Sequence, residues 1–471
     1  MTDITPHIFR AYDIRGRVPS ELNPQISCLI GRALASASLQ RGLNEWVHSY
    51  DGRLSSPELS RALVKGLVGG GMRVTNIGLG PTPLLYYAAS KQPQQCGVML
   101  TGSHNPSDYN GMKIMLGGET LAGESIANLR RAIETGGLPP AENTSKTTTA
   151  DYSQAYITDA LAACNPLERP LTIVVDAGNG AAGKLAPALY RAYGCKVIEL
   201  HCEIDGRFPN HHPDPGKKEN LRDLILAVDE HQADLGLAFD GDGDRLGIIT
   251  NKGEVIFPDR ALMVFAEDLL TRHPGAKVLL DVKCSPLVLQ HIAAAGGNPM
   301  LCPTGHSLIK QAMKREGALL AGEMSGHMFL AENWNGSDDA LLAGLRLLAL
   351  ISRFPGGAHQ LFAAYPGWPG TAEINLSCGE ERKWEIIELL KTKGDFGDGK
   401  LIDIDGIRIE YAQSWGLVRC SNTTPTLVLR FEGATRELLA ATIKRFAAQL
   451  GRLAPELDLA PLNKAIANHA D

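Results

Sequence analysis

The sequence predicts an α/β protein in which one unit recurs three times before a C-terminal segment of a different kind. Three observations carry this reading. First, apolar runs end at Asp51, Asp176 and Asp281, and each is followed some tens of residues later by a second apolar run that opens into a polar, glycine-bearing loop, at Ser103, Asp240 and Glu323. Second, helical spacing fills the intervals, as over 56–66, where Leu59, Leu63 and Leu67 share one face. Third, 471 residues exceed one ordinary core and suit three or four domains. Alternating strands and helices imply sheets joined by crossover helices.

In the first unit, Gly97-Val98-Met99-Leu100 has the pattern of a short buried strand. Thr101-Gly102-Ser103-His104-Asn105-Pro106 therefore opens at a strand's carboxyl end, where open α/β sheets place ligands. Residues 136–149, rich in Gly, Pro, Ser and Thr, separate this unit from the next. In the second unit the run 171–175 leads into Gly178-Asn179-Gly180-Ala181-Ala182-Gly183, with Glu199 near the distance expected of a ribose-binding acid. The same pattern describes any tight strand-to-helix turn, so NAD binding is set aside. Asn251-Lys252-Gly253 reads as a turn near the second junction. In the third unit Ser337, followed by Asp338 and Asp339, reads as a helix cap before the apolar stretch 340–351. That stretch is broken by Arg346 and too short to span a bilayer. Prolines and glycines over 354–370 mark a break, after which strands are expected over 401–411, 416–419 and 426–431, with a helix over 436–450.

Composition narrows the function classes. Hydrophobic residues at 44% and charged residues at 21% describe a soluble globular chain. A net charge of -6 and a pI near 6.1 argue against nucleic-acid or anionic-membrane partners, while leaving room for a local basic cleft. The first ten residues lack a charged start followed by an apolar core, and the nine cysteines include no CxxC pair. A cytoplasmic protein with free thiols is expected.

The chemistry concentrates in two loops. In Asp240-Gly241-Asp242-Gly243-Asp244-Arg245, carboxylates at i, i+2 and i+4 offer hard oxygens, which suit magnesium or manganese and not zinc. Gly241 and Gly243 let the three converge, a shape that like charges oppose without a cation. A solvated acidic turn is the bland alternative. An EF-hand fails, because it needs glycine where Arg245 stands and glutamate where Asn251 stands. Ser103 could carry a phosphoryl group, although a bare hydroxyl is a weak nucleophile and a serine there also suits a helix cap. His104 could be its base or a structural neighbour; spacing leaves both open. Together the loops suggest phosphoryl transfer.

Five motifs, in order, are Phe9-Arg10-Ala11-Tyr12-Asp13-Ile14-Arg15-Gly16, the Ser103 loop, the Asp240 loop, Gly322-Glu323-Met324-Ser325-Gly326-His327 and Arg419-Cys420-Ser421-Asn422-Thr423-Thr424-Pro425. With them the chain resembles the α-D-phosphohexomutases, in their phosphomannomutase/phosphoglucomutase branch. The resemblance implies an α/β fold of four domains, three related units with mixed sheets over 1–148, 149–253 and 254–365, and a smaller α+β domain over 366–471 resembling the TATA-binding-protein fold. It implies an isomerase that interconverts hexose 6-phosphate and hexose 1-phosphate, of mannose and also of glucose, through phosphoserine at Ser103 and a 1,6-bisphosphate that also serves as activator. Mg²⁺ would be held by Asp240, Asp242, Asp244 and the Ser103 phosphate.

By the same resemblance, Tyr12 and Arg15 contact substrate and the serine, though Arg15 could equally be an interdomain salt bridge. Lys113 falls at a position linked to proton transfer, and Arg245 closes the metal loop. Glu323 and Ser325 suit a sugar diol, His306 and His327 line the same cleft, and Lys283 points at the sugar phosphate. Arg419 with Ser421, Asn422 and Thr423 would form the second anion site a mutase needs, since a planar guanidinium bonds two phosphate oxygens at once. A hinge near Pro366 could open while the bisphosphate turns. The partners implied are small sugar phosphates, with no nucleic acid, membrane or obligate protein. The alternatives are a phosphoglucosamine mutase, disfavoured by Met324 where that branch tends to carry glutamine, and a noncatalytic sugar-phosphate binder. His211-His212 lacks a third ligand at metal spacing and is set aside.

Overall fold

A computed structural model describes residues 4–138, 146–422 and 424–469. The chain divides into two compact units, Met1–Asp268 with His306–Tyr365, and Leu269–Gly305 with Pro366–Asp471.

In the first unit, the leading sheet runs in the order Ile14–Arg17, Tyr109–Leu116, Gly97–Leu100, Glu45–Tyr50, Arg73–Leu79, Thr147–Thr149. Glu45–Tyr50 is parallel to both Arg73–Leu79 and Gly97–Leu100, and Tyr109–Leu116 returns antiparallel to Gly97–Leu100. Every residue of Gly97–Leu100 is buried, which explains its unbroken apolar run. Helix Ser56–Gly69 buries Leu59, Leu63 and Leu67 in a core shared with helix Pro24–Leu39. Each such leucine contributes roughly 1.5–3 kcal/mol relative to exposure.

The second sheet repeats the plan. Leu235–Phe239, Thr172–Asp176 and Lys196–Leu200 are parallel, and Leu246–Thr250 returns antiparallel to Leu235–Phe239. Farther on, Met328–Leu330 returns antiparallel to Leu320–Gly322. The sheets are mixed, as the family resemblance implies, and each of the three second runs enters a hairpin. The segments 101–108, 240–245 and 323–327 are thus the turns of three hairpins, which is what presents their polar residues together.

In the second unit, Lys277–Asp281 is parallel to Asn298–Cys302. An antiparallel sheet runs in the order Ile374–Ser377, Thr426–Gly433, Ser414–Cys420, Ile407–Glu410, Lys400–Ile402. Helices Arg382–Lys393 and Arg436–Leu453 share its core.

Local expectations need correction at four places. Residues 401–411 form two strands, because Gly406 at φ +82° turns the chain between Lys400–Ile402 and Ile407–Glu410. The cap of Ala340–Ile351 is Asp339, whose side chain accepts from Leu342 N, while Ser337 donates to Asn335. The end of the Gly- and Pro-rich stretch adds the strand Thr147–Thr149 to the first sheet. Helix Gly357–Phe362 interrupts the 354–370 break. None of the nine cysteines is in a disulfide, and among the described residues no helix is long and apolar enough to cross a membrane.

Candidate active site

The Ser103 turn is shaped by the aspartate that ends the neighbouring strand. Asp51 Oδ2 accepts from Thr101 Oγ1 at 2.8 Å and Gly102 N at 3.1 Å, and Thr101 Oγ1 in turn accepts from Ser103 N at 2.8 Å. Ser103 sits at φ +46°, a left-handed conformation that costs a non-glycine residue on the order of 1–3 kcal/mol and persists only where its surroundings over-determine it. Its hydroxyl is buried, donates to Asp240 Oδ2 at 2.7 Å, and lies 3.2 Å from His104 Nδ1.

The Asp240 turn meets it closely enough that a Cβ on Gly241 would lie 2.3 Å from Ser103 O. Only glycine permits that approach. On its other side Gly241 O accepts from Ala181 N at 2.9 Å, so the Gly178–Gly183 segment serves as backbone packing beneath the acidic turn. Asp240, Asp242 and Asp244 are fully buried, with ligand atoms within 4.8 Å of one another. Asp240 Oδ1 accepts from Asp244 N and Arg245 N at 3.1 and 3.2 Å, which curls the turn. Asp242 Oδ2 accepts from Thr82 Oγ1 at 2.5 Å and Lys113 Nζ at 2.6 Å, and Lys113 also donates to Asp244 Oδ2. Asp242 Oδ1, buried and without a hydrogen-bond partner among the described residues, is a spare hard donor. Such an oxygen set fits a magnesium-type cation.

Electrostatics at this point are severe. Burial, then the neighbouring Asp242 and Asp244, push the Asp240 carboxyl well above its usual range. Burial would lower the Lys113 pKa, but Asp242, Asp244 and Asp240 outweigh it and hold the ammonium protonated. At Asp244 burial acts upward and is overcome by Lys113 and His327, which hold the carboxyl well below its usual range.

The 323–327 turn completes the group. Ser325 Oγ donates to Glu323 Oε2 at 2.9 Å, and His327 reaches Glu323 Oε2 through Nδ1 at 2.6 Å and Asp244 Oδ1 through Nε2 at 3.3 Å. Burial alone would lower its pKa, but Asp244 and Glu323 push it up to about 9. Arg245 pairs with His327 through a backbone bridge, and its Nε lies 3.9 Å from Asp240 Oδ2. His306 begins helix His306–Glu316, 3.6 Å from Asp338 Oδ2 and edge-on to Tyr12 at 5.4 Å; burial, then Lys310 and Lys113, push its pKa well down. Arg15 pairs with Asp13 at 2.5 Å and donates to Asn105 in the Ser103 turn, so its ion pair is local.

Ser103, Asp240, Asp242, Asp244, Lys113, Arg245, Glu323, Ser325, His327, His306, Tyr12 and Arg15 thus all belong to the first unit. Lys283, Arg419, Ser421 and Asn422 belong to the second, and Thr423 lies outside the described residues. Lys283 Nζ bonds Glu373 at 2.8 Å, and burial, which would lower its pKa, is outweighed by Glu373 and Asp281. Arg419 Nε donates to Asp405 Oδ2 at 2.9 Å. Lys383 Nζ donates to Ser421 O at 2.9 Å.

Sequence reasoning missed Arg53, Lys310 and Asp338. Lys310 Nζ holds Asp338 at 2.8 Å beside His306, and its spacing of one helical turn from His306 was the available signal.

The sequence matches the four families described as Phosphoglucomutase/phosphomannomutase alpha/beta/alpha domain I over residues 6–138, domain II over 152–253, domain III over 257–366 and the C-terminal domain over 373–449. A phosphomannomutase/phosphoglucomutase of Pseudomonas syringae pv. tomato is 51% identical over 96% of this chain and 97% of its own. A phosphoglucomutase of Neisseria gonorrhoeae is 48% identical over 95% and 97%. The crystal structure of a phosphoglucomutase/phosphomannomutase family protein from Burkholderia thailandensis superposes with a TM-score of 0.92 at 41% identity, covering 97% of this chain and 99% of that one. With all four domain families matched in order and half the residues shared along nearly its whole length, the chain belongs to the phosphoglucomutase/phosphomannomutase family of isomerases.

Proposed function

We propose that the protein interconverts hexose 6-phosphate and hexose 1-phosphate, of mannose and also of glucose, with Ser103 as phosphoryl carrier and a hexose 1,6-bisphosphate as intermediate and activator. The observation that carries this is the Ser103 hydroxyl, held in a left-handed turn and bonded to Asp240 within a buried acidic triad. Mg²⁺, held by Asp240, Asp242, Asp244 and an oxygen of the Ser103 phosphate, would offset charge on the transferring group.

The free hydroxyl of a bound monophosphate attacks phosphorus, a new O–P bond forms, and the bond to Ser103 Oγ breaks. The attacking hydroxyl gives up its proton to a neighbouring base; His306, kept neutral by burial and by Lys310 and Lys113, can accept it, although the same surroundings make it a weak base. Lys113, kept protonated by Asp242 and Asp244, is a cation at the same acidic triad that Ser103 Oγ bonds, and would return the proton the departing Oγ takes up. Glu323 and Ser325 hold adjacent sugar hydroxyls, while Lys283 and Arg419 with Ser421, Asn422 and Thr423 bind the phosphate that is not transferred. After the bisphosphate turns end for end, the same steps in reverse return a phosphate to Ser103. Nine cysteines with no CxxC pair among them support a cytoplasmic setting.

The test is to incubate the protein with Mg²⁺ and glucose 1,6-bisphosphate and to map covalent phosphate by mass spectrometry. One phosphate on Ser103, absent from Ser103→Ala, is expected; wild type that never acquires it ends the proposal. Parallel rates on the 1-phosphates of mannose, glucose and glucosamine then rank the sugars.

A further inference from the structure

Arg53 lies three residues beyond strand Glu45–Tyr50 and is 1% exposed. Its Nη2 donates to the carbonyls of Ser103 at 2.7 Å and Asn105 at 2.6 Å, its Nη1 to those of Pro106 at 2.5 Å and Tyr109 at 3.0 Å, and its Nε to Asp51 Oδ2 at 3.2 Å. A guanidinium has five N–H groups in a rigid plane, so each is matched to one acceptor. Four of those acceptors are backbone oxygens of the turn between Gly97–Leu100 and Tyr109–Leu116 or of its first returning residue. The fifth belongs to the carboxylate that also anchors Thr101 and Gly102. A Cβ on Gly102 would lie 2.4 Å from Nε, so the turn is moulded around this side chain. A buried charge bonded almost wholly to carbonyl oxygens is an expensive way merely to stabilise a surface turn. It is an effective way to fix a serine in a left-handed conformation.

We propose that Arg53 is a positioning residue for phosphoryl transfer. By gripping the carbonyls of Ser103 and of the residues after it, while its partner Asp51 holds Thr101 and Gly102 before it, Arg53 aims the Oγ at the acidic triad. Lysine, with three donors radiating from one point, cannot replace the planar fork. The proposal rests on Ser103 being the phosphoryl carrier.

The experiment compares wild type with Arg53→Lys and with Gly102→Ala, which keeps Arg53 but displaces its guanidinium. Steady-state kinetics, the rate at which Ser103 acquires phosphate from glucose 1,6-bisphosphate, and amide hydrogen exchange are measured on each. In both variants kcat and the phosphate-acquisition rate are expected to fall about 100-fold, the scale of a 1 Å misplacement, with KM within threefold of wild type. Exchange should rise in 101–109 while Glu45–Tyr50 stays protected. Near-normal phosphate acquisition by either variant would overturn the proposal, as would protection lost evenly across the unit, or a rise in KM with kcat intact. Wild type that takes up no phosphate would instead overturn the reading of Ser103 itself.

Discussion

Two loops that lie against strand-end aspartates, the Ser103 turn beside Asp51 and the Lys283 turn just after Asp281, are held by the same device and charged in opposite ways. Arg53 grips the carbonyls of the first. In the second unit Arg408 donates to Val282 O at 2.7 Å and Cys284 O at 2.6 Å, and Arg430 donates to Lys283 O. Both turns therefore keep their shape through buried guanidinium groups. The first gathers three carboxylates, which call for a cation and a transferring group. The second offers a lysine whose proton is secured by Glu373, which calls for an anion. A shared scaffold and opposite charge suit one region to chemistry and the other to holding.

If that division is right, mutations in the first region should act on kcat and those in the second on KM. The largest effect is expected of Ser103→Ala, where activity falls on the order of 10⁶-fold, as loss of a covalent nucleophile does, measured by coupled assay. Next, Asp242→Asn should raise the Mg²⁺ concentration for half-maximal rate about 10- to 100-fold, and full chelation should stop transfer. A titration with unchanged midpoint would remove Asp242 from the cation site. In the second region, Arg419→Ala should raise KM for the sugar phosphate about 10- to 100-fold, the worth of hydrogen bonds to a charged group, with a smaller change in kcat. A fall in kcat at constant KM would break the contrast.

The smallest effect concerns pH. Burial pushes the His48 pKa down to about 4, with both ring nitrogens engaged by Val98 O and Ser60. The unfolded chain takes up this proton below about pH 6.5 and the folded one does not. Stability present above pH 6.5 is thus lost as pH falls toward 4, by on the order of 3 kcal/mol. Urea unfolding at stepped pH should show this slope, and His48→Gln should flatten it.

What the sequence made legible was local. The strand Gly97–Leu100 and helix Ala340–Ile351 fall where their apolar runs lie, and the acidic turn converges as its alternating glycines imply. The hairpins were not legible, because a short buried run reads alike whether its partner is parallel or antiparallel. Nor was the link from Asp51 to Gly102, or from His327 to Asp244, since residues 51 and 83 positions apart meet only through sheet register. Arg53, two residues past an aspartate already noted, gave no periodic sign, because its partners are carbonyl oxygens that every sequence supplies.

Placing these groups in hairpin turns fixes loop length as firmly as loop chemistry. Phe239 faces Leu246 and Gly322 faces Met328 at the last rungs of their ladders, so one residue gained or lost between them must open a rung or turn a strand's inner side chains outward. Over generations such turns can trade one side chain for another far more freely than they can grow or shrink.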